Sequence, residues 1–530
     1  LEQRHLLAGD VAISVQTQFP QGDDYLPDEP VDIFVEVTNT GDTDAQVSLT
    51  GDFDGLTDVE WTLPAGFTPE LQAGDLPPDD VLVIEEKRAI GSGLLLDGLF
   101  TGDVDGDSLL DLVGRKVVLF GNGSETRLTE AVVDAVGDVN NDGIDDLVIE
   151  TLDGSVISIV FGGADLPEII DPGSSPELGD LRIDLGELSF FGFSFLGDVN
   201  GDGVGDFSVR TGPGGNAVIF GGLDDAGVFE LAAMTPTEGF RIKPPEGIPV
   251  ITGISSAGDL NNDSFADVVV SLDGTLVLPG VDVIFGGESI APSGVFDLEQ
   301  IDGDNGIMLR NLGGIPRVNP TASVNDINAD GIDDMIIAGT FSRGISVVFG
   351  SEDIGVSAEL DVSSFDGADG VNIDFDDSAG VTGAPIGDIN GDGYEDLYIG
   401  AHNIVGSAAY VVFGGPNFSS HFSGLESIFI PDGFNGFRII DTVDDESDSL
   451  TQGGASVGDF NGDGIDDVGI NGRANPFSSR RSIIVVVGRA PQTGAGNPET
   501  TFDIPAGVTR TLRIQGKIPS DADGEVAFSL

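Results

Sequence analysis

One nine-residue pattern of aspartate, asparagine and glycine recurs seven times in the chain. The copy at residues 388–396, DINGDGYED, places oxygen-bearing side chains at its positions 1, 3, 5 and 9. Calcium ions in proteins take six to eight oxygen ligands at about 2.3–2.6 Å, and alternate residues of a tightly coiled loop can direct carboxylates and amides at one centre. The backbone carbonyl at position 7 is expected to add a further ligand. The pattern therefore predicts a calcium-binding loop.

The predicted ligands follow the same register in all seven copies, here named loops 1 to 7 in chain order. A single cluster of Asp, Asn and Gly is most often a solvated turn, whereas seven copies in register favour metal binding and predict up to seven calcium ions. The ligand sets are Asp103, Asp105, Asp107 and Asp111; Asp138, Asn140, Asp142 and Asp146; Asp198, Asn200, Asp202 and Asp206; Asp259, Asn261, Asp263 and Asp267; Asp326, Asn328, Asp330 and Asp334; Asp388, Asn390, Asp392 and Asp396; and Asp459, Asn461, Asp463 and Asp467.

Position 6 of each loop is expected to reverse the chain. Glycine adopts the positive φ required there without steric cost, and five loops carry glycine at this position. Loops 1 and 4 carry Ser108 and Ser264 instead. Because a non-glycine residue in the left-handed conformation costs about 1 kcal/mol, these two loops are expected to bind calcium several-fold more weakly. Asp105 gives loop 1 a fourth carboxylate that partly compensates, so loop 4 is expected to be the weakest.

The charge of the chain restricts its partners. With 21 basic and 92 acidic residues the formal net charge is −71, which argues against nucleic acid or an anionic membrane surface as partner. The seven loops hold 26 of the 92 acids, which leaves 66 against at most 21 bases. This excess favours solubility in a salty medium and a repulsion that divalent cations screen.

The absence of cysteine excludes disulfides and thiol chemistry. The longest apolar runs, such as residues 482–488, are far shorter than the roughly 18 residues of a membrane helix, so no membrane insertion is expected. Free calcium is abundant outside cells and scarce inside them. The sequence therefore predicts a secreted or cell-surface protein, with a bacterial exterior as the natural setting.

Catalysis is not expected from this sequence. A nucleophilic triad needs a positioned base, and the three histidines, His5, His402 and His421, lie in contexts typical of turns or surface loops. Carboxylates are so abundant that no acid/base pair stands out. Zinc is disfavoured because no cluster of Cys or His exists. The sequence thus predicts a protein that is not an enzyme and has no cofactor beside calcium.

The elements that position the loops are short strands. Loops start 35, 60, 61, 67, 62 and 71 residues apart, and each is followed by an apolar strand that ends in Phe-Gly or its equivalent, as in Val283-Ile-Phe-Gly286. The longer repeats of about 60 residues hold about four strands each, without helical periodicity. A repeat of this size with four strands is typical of a β-propeller blade.

This array resembles the FG-GAP repeats of integrin α-subunit propellers and their bacterial relatives, over about three-quarters of the chain. Residues 191–194, Phe-Gly-Phe-Ser, precede Gly197-Asp198 as the F-G-x-S of that family precedes its calcium loop, and Gly400-Ala401-His402 takes the place of its G-A-P. The resemblance implies a seven-bladed β-propeller, with each calcium loop in a hairpin inside its blade. It also implies ligand binding on the opposite face or between blades.

The two ends of the chain predict further β-structure, so three parts are expected. Residues 1–88 contain alternating strands, and Val37-Thr-Asn-Thr-Gly41 resembles a turn of immunoglobulin-like repeat domains on bacterial surface proteins. This part is predicted to be a β-sandwich-like domain, and residues 89–497 the propeller. Residues 498–530 are predicted to complete either the sandwich or the last blade. Neither end has enough strands to bury two sheet faces alone, so the ends are expected to pair within one chain or head-to-tail between chains.

Three functions are compatible with this organisation. The first is an extracellular, calcium-stiffened module for adhesion or structure, including a subunit of a filament or matrix that assembles head-to-tail. The second is a lectin-like propeller that binds carbohydrate between blades. The third is the non-catalytic region of a larger secreted enzyme. The expected partners are accordingly a protein or a glycan at the cell surface or in a matrix.

Overall fold

The computed structural model describes residues 99–422 apart from short connecting segments and, outside this range, chiefly strands between residues 6 and 85 and between 435 and 517. The described residues contain 43 strands and five short 3-10 helices, and no α-helix. The predicted all-β class is therefore confirmed. Among the described residues, none of the helices has the length and hydropathy needed to cross a membrane.

The strands are short, mostly three to eight residues, and are numbered here in chain order. The first seven are β1 (Leu6–Ala8), β2 (Val11–Gln18), β3 (Pro30–Asn39), β4 (Ala45–Thr50), β5 (Thr57–Leu63), β6 (Glu70–Gln72) and β7 (Val81–Glu85). The next thirteen are β8 (Leu99–Gly102), β9 (Asp111–Gly114), β10 (Val117–Leu119), β11 (Glu125–Leu128), β12 (Ala131–Gly137), β13 (Asp146–Thr151), β14 (Ile157–Val160), β15 (Ile169–Ile170), β16 (Leu181–Asp184), β17 (Phe190–Gly197), β18 (Asp206–Thr211), β19 (Ala217–Ile219) and β20 (Val228–Glu230).

The strands of the second half continue the same series. They are β21 (Gly239–Lys243), β22 (Ile251–Gly258), β23 (Asp267–Leu272), β24 (Gly280–Ile284), β25 (Val295–Asp297), β26 (Gly306–Arg310), β27 (Arg317–Val318), β28 (Ala322–Val324), β29 (Asp334–Ile337), β30 (Gly339–Thr340), β31 (Gly344–Val348), β32 (Glu359–Asp361), β33 (Gly370–Asp374), β34 (Ser378–Pro385), β35 (Leu397–Asn403), β36 (Gly406–Val412), β37 (Gly436–Ile440), β38 (Gly454–Gly458), β39 (Asp467–Arg473), β40 (Arg481–Val486), β41 (Gln492–Ala495), β42 (Glu499–Ile504) and β43 (Thr509–Lys517). The 3-10 helices are Leu231–Ala233, Leu298–Gln300, Ile354–Val356, Val362–Ser364 and Phe418–Phe422.

Seven sheets of four or five strands follow one another along the chain. In hydrogen-bonded order they are sheet 1 (β8-β9-β10-β11-β15), sheet 2 (β12-β13-β14-β16-β20), sheet 3 (β17-β18-β19-β21-β25), sheet 4 (β22-β23-β24-β26-β32), sheet 5 (β28-β29-β31-β33), sheet 6 (β34-β35-β36-β37-β6) and sheet 7 (β38-β39-β40-β7). The first strands of consecutive sheets contact one another, and β38 of sheet 7 contacts β8 of sheet 1.

In several of these sheets the last strand comes from another part of the chain. In sheets 1 to 4 the fifth strand comes from the next repeat and runs parallel to the fourth; for example, β25 pairs with β21 through Ile242 and Phe296. In sheet 7 the fourth strand, β7, pairs with β40 although nearly 400 residues separate them in the chain. The prediction that β7 belongs to an N-terminal domain ending at residue 88 is therefore wrong. Its backbone instead pairs with the edge of sheet 7 at β40.

The apolar cores lie between consecutive sheets. One core combines Val218 and Phe240 of sheet 3 with Val268 and Val270 of sheet 4, all fully buried. Because each inner sheet is covered on both faces, all six residues of β23 are buried, and the strand is almost continuously apolar rather than alternating. Burial of each such Val or Leu side chain contributes about 1.5–3 kcal/mol. These cores hold the first two strands of each sheet in place.

The chain divides into two compact units. One comprises Leu1–Leu71, Pro431–Arg438 and Arg489–Leu530, and the other comprises Gln72–Ile430 and Ile439–Gly488. In the first unit, six strands form one sheet in the order β1-β2-β3-β43-β5-β41, and β4 pairs with β42. The last strand, β43, lies between β3 and β5 and is antiparallel to both. The C-terminal strands thus pair within one chain, and β42, one candidate for completing the last blade, pairs with β4.

Candidate metal centres

Each of the seven loops connects the first and second strands of its sheet, which are antiparallel. Loop 3, for example, begins where β17 ends at Gly197, and its ninth residue, Asp206, begins β18. The placement of the loops in a hairpin therefore agrees with the sequence analysis. In loop 3, buried residues of both flanking strands hold the two ends of the loop.

Within a loop, backbone N–H groups turn the side chains of positions 1, 3 and 5 inward. In loop 3, Asp198 accepts the N–H of Asp202 through Oδ1 at 3.1 Å and the N–H of Gly203 through Oδ2 at 2.8 Å. The Asp202 N–H also donates to Asn200 Oδ1 at 2.7 Å, and Asp202 Oδ1 accepts the N–H of Val204 at 2.9 Å. Loops 2, 4 and 5 repeat this scheme. The acceptor oxygens are thus gathered inside each loop.

Position 9 is the buried end of the site. Asp206 is completely buried and accepts the N–H of Val199 at 2.8 Å and that of Gly221 at 2.8 Å. The equivalent aspartates of the other six loops are completely buried as well. Each carboxylate oxygen has about two acceptor sites and uses one for these bonds, so each can still bind a metal ion. Loss of this carboxylate would leave buried N–H groups unpaired, at about 1–3 kcal/mol each.

The position 9 carboxylates are electrostatically unfavourable without a cation. Burial, together with a smaller effect of repulsion from the carboxylates at positions 5 and 1, raises the pKa of Asp146 and Asp206 to about 7 and that of Asp334 to about 8. The pKa values of Asp267 and Asp396 also lie well above the usual range for the same reasons. The hydrogen bonds from the backbone oppose this shift only in part. A bound dication would remove the repulsion and favour the ionised form.

These pKa values predict that the metal-free protein loses stability as the pH rises. The unfolded aspartate has a pKa of about 3.9, so between about pH 4 and 8 the folded state binds more protons than the unfolded state. The stabilisation present below about pH 4 is therefore lost as the pH passes 7 to 8. Urea unfolding of metal-free protein should show a lower midpoint at about pH 8.5 than at about pH 5.5.

Calcium supplies the control for this pH experiment. Since protons and the metal compete for the same carboxylates, excess calcium should weaken or reverse the pH dependence. Equal midpoints at the two pH values in metal-free protein would contradict the prediction.

Position 6 has the predicted left-handed backbone. The glycines at this position have φ between 87° and 91° in loops 2, 3, 5, 6 and 7, and Ser264 of loop 4 has φ 74°. The N–H of Ser264 donates to Asp259 Oδ2 at 2.8 Å, as glycine does elsewhere. Loop 4 thus keeps the common conformation and bears the strain of a side chain at positive φ. Ser108 of loop 1 lies outside the described residues.

Ser264→Gly is expected to stabilise the protein by about 1 kcal/mol and to raise the calcium affinity of loop 4 several-fold, because it removes this backbone strain. The reverse change, Gly203→Ser in loop 3, is the matched control. No atom lies within 4 Å of a Cβ at Gly203. The Gly203→Ser variant should therefore lose about as much stability as Ser264→Gly gains, through backbone strain alone. Calorimetric titration and thermal unfolding of the two variants test this, and an unchanged or lower affinity of Ser264→Gly would contradict it.

Loops 1 and 6 each offer oxygen atoms that suit a calcium ion. In loop 1, carboxylate oxygens of Asp103, Asp105 and Asp111 all lie within 4.8 Å of one another, whereas Asp107 is exposed and lies outside that group. In loop 6, Asn390 is 7% exposed and its Oδ1 has no hydrogen-bond partner. An orphaned buried carbonyl oxygen beside carboxylates is a ready ligand for a hard cation. In loop 7, Asn461 and Asp463 lie outside the described residues.

The glycine of the Phe-Gly motif fits against the loop. A Cβ at Gly221 would lie 2.2 Å from the carbonyl oxygen of Gly205, at position 8 of loop 3, and a Cβ at Gly414 would lie 2.1 Å from that of Glu395 in loop 6. The N–H of the same glycine donates to the position 9 aspartate. Only glycine leaves room for the loop to close against the third strand. The motif is visible in the sequence, but this reason for its glycine is visible only in the fold.

The acids at position 8, to which the sequence alone assigned no role, act between loops. Asp145, Asp333 and Asp466 each accept the N–H of the first residue of the preceding loop at 2.9 Å. Glu395 accepts the side-chain N–H of Asn325, just before loop 5, at 3.0 Å. An acid next to the position 9 ligand in four of seven loops was the available signal. These contacts require adjacent loops to lie side by side, which sequence spacing does not show.

The histidines do not join these sites in the described part of the chain. His402 lies on β35, His421 lies in the 3-10 helix Phe418–Phe422, and His5 lies outside the described residues. The candidate ligands of the described loops are therefore carboxylate and amide oxygens. This donor set suits calcium rather than zinc.

Solved structures with a similar chain course share little sequence with this protein. BBS1N in complex with ARL6DN matches with a TM-score of 0.41 and 10% identity, over 80% of this chain and 97% of that chain. The Dos1 propeller matches with a TM-score of 0.34 and 9% identity, over 72% and 76%. AofleA from Arthrobotrys oligospora matches with a TM-score of 0.30 and 11% identity, over 78% and 98%. No family model matches the chain, and no curated protein matches it.

Proposed function

We propose that this protein is a secreted or cell-surface, calcium-binding, seven-bladed β-propeller that acts as an adhesion or structural module. The seven consecutive sheets, the contacts between their first strands and the contact of β38 with β8 support a ring of seven blades. The pairing of β7 with β40 then joins the two ends of the ring in one blade. The Phe-Gly motifs and the calcium loops between first and second strands support membership of the FG-GAP, integrin α-like class.

The single observation that supports this function most is the repetition of one loop geometry. Described loops share the buried position 9 aspartate, and positions 1 and 5 accept backbone N–H groups in the same scheme. The residues that would hold calcium are the side chains at positions 1, 3, 5 and 9 and the carbonyl at position 7. Bound calcium would neutralise the carboxylates of each loop and make its hairpin rigid. The chain's own residues orient these oxygens and bury one end of each site.

The proposed role follows from stiffness and charge. Seven cross-linked hairpins make a rigid body, and a net charge of −71 keeps it soluble and responsive to divalent cations. The absence of cysteine leaves metal ions, rather than disulfides, to rigidify the protein. Millimolar calcium outside cells would keep even weak sites occupied. A partner protein or glycan would bind to the surface of this rigid body, and no catalytic step is assigned to it.

Three measurements test the proposal. Equilibrium dialysis should find about seven calcium ions per chain, and fewer than about three would contradict the calcium assignment. Binding of the full chain to a glycan array and to bacterial cell-wall or matrix preparations should then depend on calcium. Specific retention of one glycan class would instead favour the lectin-like function. Sedimentation with and without calcium tests head-to-tail assembly, which would need a surface other than β43 because β43 is paired within the chain.

A further inference from the structure

Several pairs of successive loops are joined by direct hydrogen bonds between position 8 of one loop and position 1 of the loop before it. Asp466, at position 8 of loop 7, accepts the N–H of Asp388, the first residue of loop 6, at 2.9 Å. In return, the N–H of Asp466 donates to the carbonyl oxygen of Asp388 at 3.2 Å. Both backbone polar groups of the first ligand residue of loop 6 are thus held by loop 7.

These bonds connect residues that set the geometry of both sites. Asp388 accepts the N–H groups of Asp392 and Gly393 at 3.0 and 2.7 Å and so organises loop 6. Asp466 directly precedes Asp467, the buried aspartate at position 9 of loop 7, which accepts the N–H of Gly488 at 2.7 Å. A change in the backbone of loop 7 at this point therefore moves the first ligand of loop 6.

The glycine before loop 6 leaves room for the Asp466 carboxylate. Gly387 precedes Asp388 and has φ 77°, and a Cβ there would lie 2.3 Å from Asp466 Oδ2. Any side chain at residue 387 would therefore displace the link. The glycine before position 1 thus leaves room for the neighbouring loop, while its own N–H and carbonyl bond to Glu395 and Asp396 of loop 6.

Loops differ in whether the link is present. Asp145 links loop 2 to Asp103 of loop 1 in the same way, and its N–H donates to the Asp103 carbonyl at 2.9 Å. At position 8 of loop 4, Ala266 keeps the backbone bond to Asp198 of loop 3 at 2.8 Å but has no carboxylate. The pair of loops 3 and 4 is therefore a natural unlinked control.

We propose that the position 8 carboxylates couple calcium binding between neighbouring loops, so that occupancy of loop 7 raises the affinity of loop 6 through Asp466. This rests on the proposed calcium function. When loop 7 is ordered by its ion, Asp466 fixes the backbone of Asp388 in the conformation that binds metal. Such a coupling acts equally in both directions and typically changes affinity about fivefold or more. Asp466 is a positioning residue and is not itself a ligand of loop 6.

A tyrosine makes loop 6 separately observable. Tyr394 lies at position 7 of loop 6, and the other six loops have no tyrosine. Terbium, which prefers the same oxygen ligands as calcium, luminesces when a nearby tyrosine absorbs light. The part of the terbium signal that is lost in Tyr394→Phe reports occupancy of loop 6.

The test is a double-mutant cycle on the full chain. Terbium is titrated into the original chain, into Asp459→Asn, which weakens loop 7, into Asp466→Ala, and into the double variant. We expect Asp459→Asn to weaken terbium binding at loop 6 about fivefold or more when Asp466 is present, and to change it less than twofold in the Asp466→Ala background. Equal weakening in both backgrounds, or none in the first, would overturn the proposal.

Loops 3 and 4, which lack the carboxylate link, provide the control and a second test of the proposal. In the Tyr394→Phe background, the part of the terbium signal that Val204→Tyr adds reports occupancy of loop 3. Asp259→Asn in loop 4 should leave this part unchanged because Ala266 has no carboxylate. Adding Ala266→Asp should create the coupling, and its failure to do so would count against the proposal even if Asp466→Ala does not fold. Absence of any terbium signal in the original chain would contradict the calcium function itself, whereas binding without coupling would contradict only this inference.

Discussion

Removal of calcium is expected to lower the thermal unfolding midpoint of this protein by on the order of 10 °C or more. A site with a dissociation constant of about 0.1 mM contributes about 2.7 kcal/mol at about 10 mM calcium by mass action. Several such sites rival the roughly 5–15 kcal/mol of stability that a domain has in total. The buried aspartates at position 9 would in addition face uncompensated repulsion from positions 1 and 5.

The measurement is differential scanning calorimetry at low salt, with calcium and with excess chelator. Magnesium at the same concentration is the control for charge screening alone, because it demands a smaller, octahedral site and retains its waters. We expect magnesium to restore only a small part of the lost stability. An unchanged midpoint in chelator would show that the loops are solvated turns rather than calcium sites.

Gly414→Ala is expected to destabilise the protein by about 3 kcal/mol, because the new Cβ would overlap backbone atoms that cannot move independently. It would lie 2.1 Å from the carbonyl oxygen of Glu395 in loop 6 and 3.0 Å from that of Ile327 in loop 5. Both loops would have to shift, and the bond from the Gly414 N–H to Asp396, now 2.9 Å, would lengthen. Calcium affinity of loop 6 should fall together with stability.

Gly393→Ala in the same sheet is the matched control. Gly393 has φ 91°, but no atom lies within 4 Å of its Cβ position, so the substitution should cost only about 1 kcal/mol of backbone strain. Urea unfolding of both variants in calcium gives the two free energies directly. Equal losses would mean that steric overlap with the loop does not explain the Phe-Gly motif.

The local features of the site could be predicted from the sequence because they depend on residues close together in the chain. The alternation of acids over nine residues is sufficient to gather their oxygens in one turn, as Asp198, Asn200 and Asp202 show. The left-handed backbone at position 6 follows from glycine in the same way, and Ser264 adopts it because the rest of its loop is unchanged. The apolar strands on either side of each loop could be predicted from the sequence for the same reason.

The partners of the end strands could not be predicted, because they are distant in sequence. Strand β7 has the same apolar composition as a strand of an N-terminal domain, yet it pairs with β40. Strand β43 fits between β3 and β5, and nothing in its residues excludes the alternative of the last blade. An edge strand pairs with whichever open edge the fold places beside it, and backbone hydrogen bonds carry little sequence information.

The sequence by itself determined the candidate ligands, the register of the loops and the all-β class, since each of these follows from periodicity and backbone preference over a few residues. The tertiary structure alone decided which loops are neighbours. Asp466 is an unremarkable acid in the sequence and a link to Asp388 in the fold, 78 residues away. Gly414 is one glycine among 79, and its necessity is visible only where Glu395 closes against it. Such roles arise from the packing of separate segments, whose contacts no local pattern encodes.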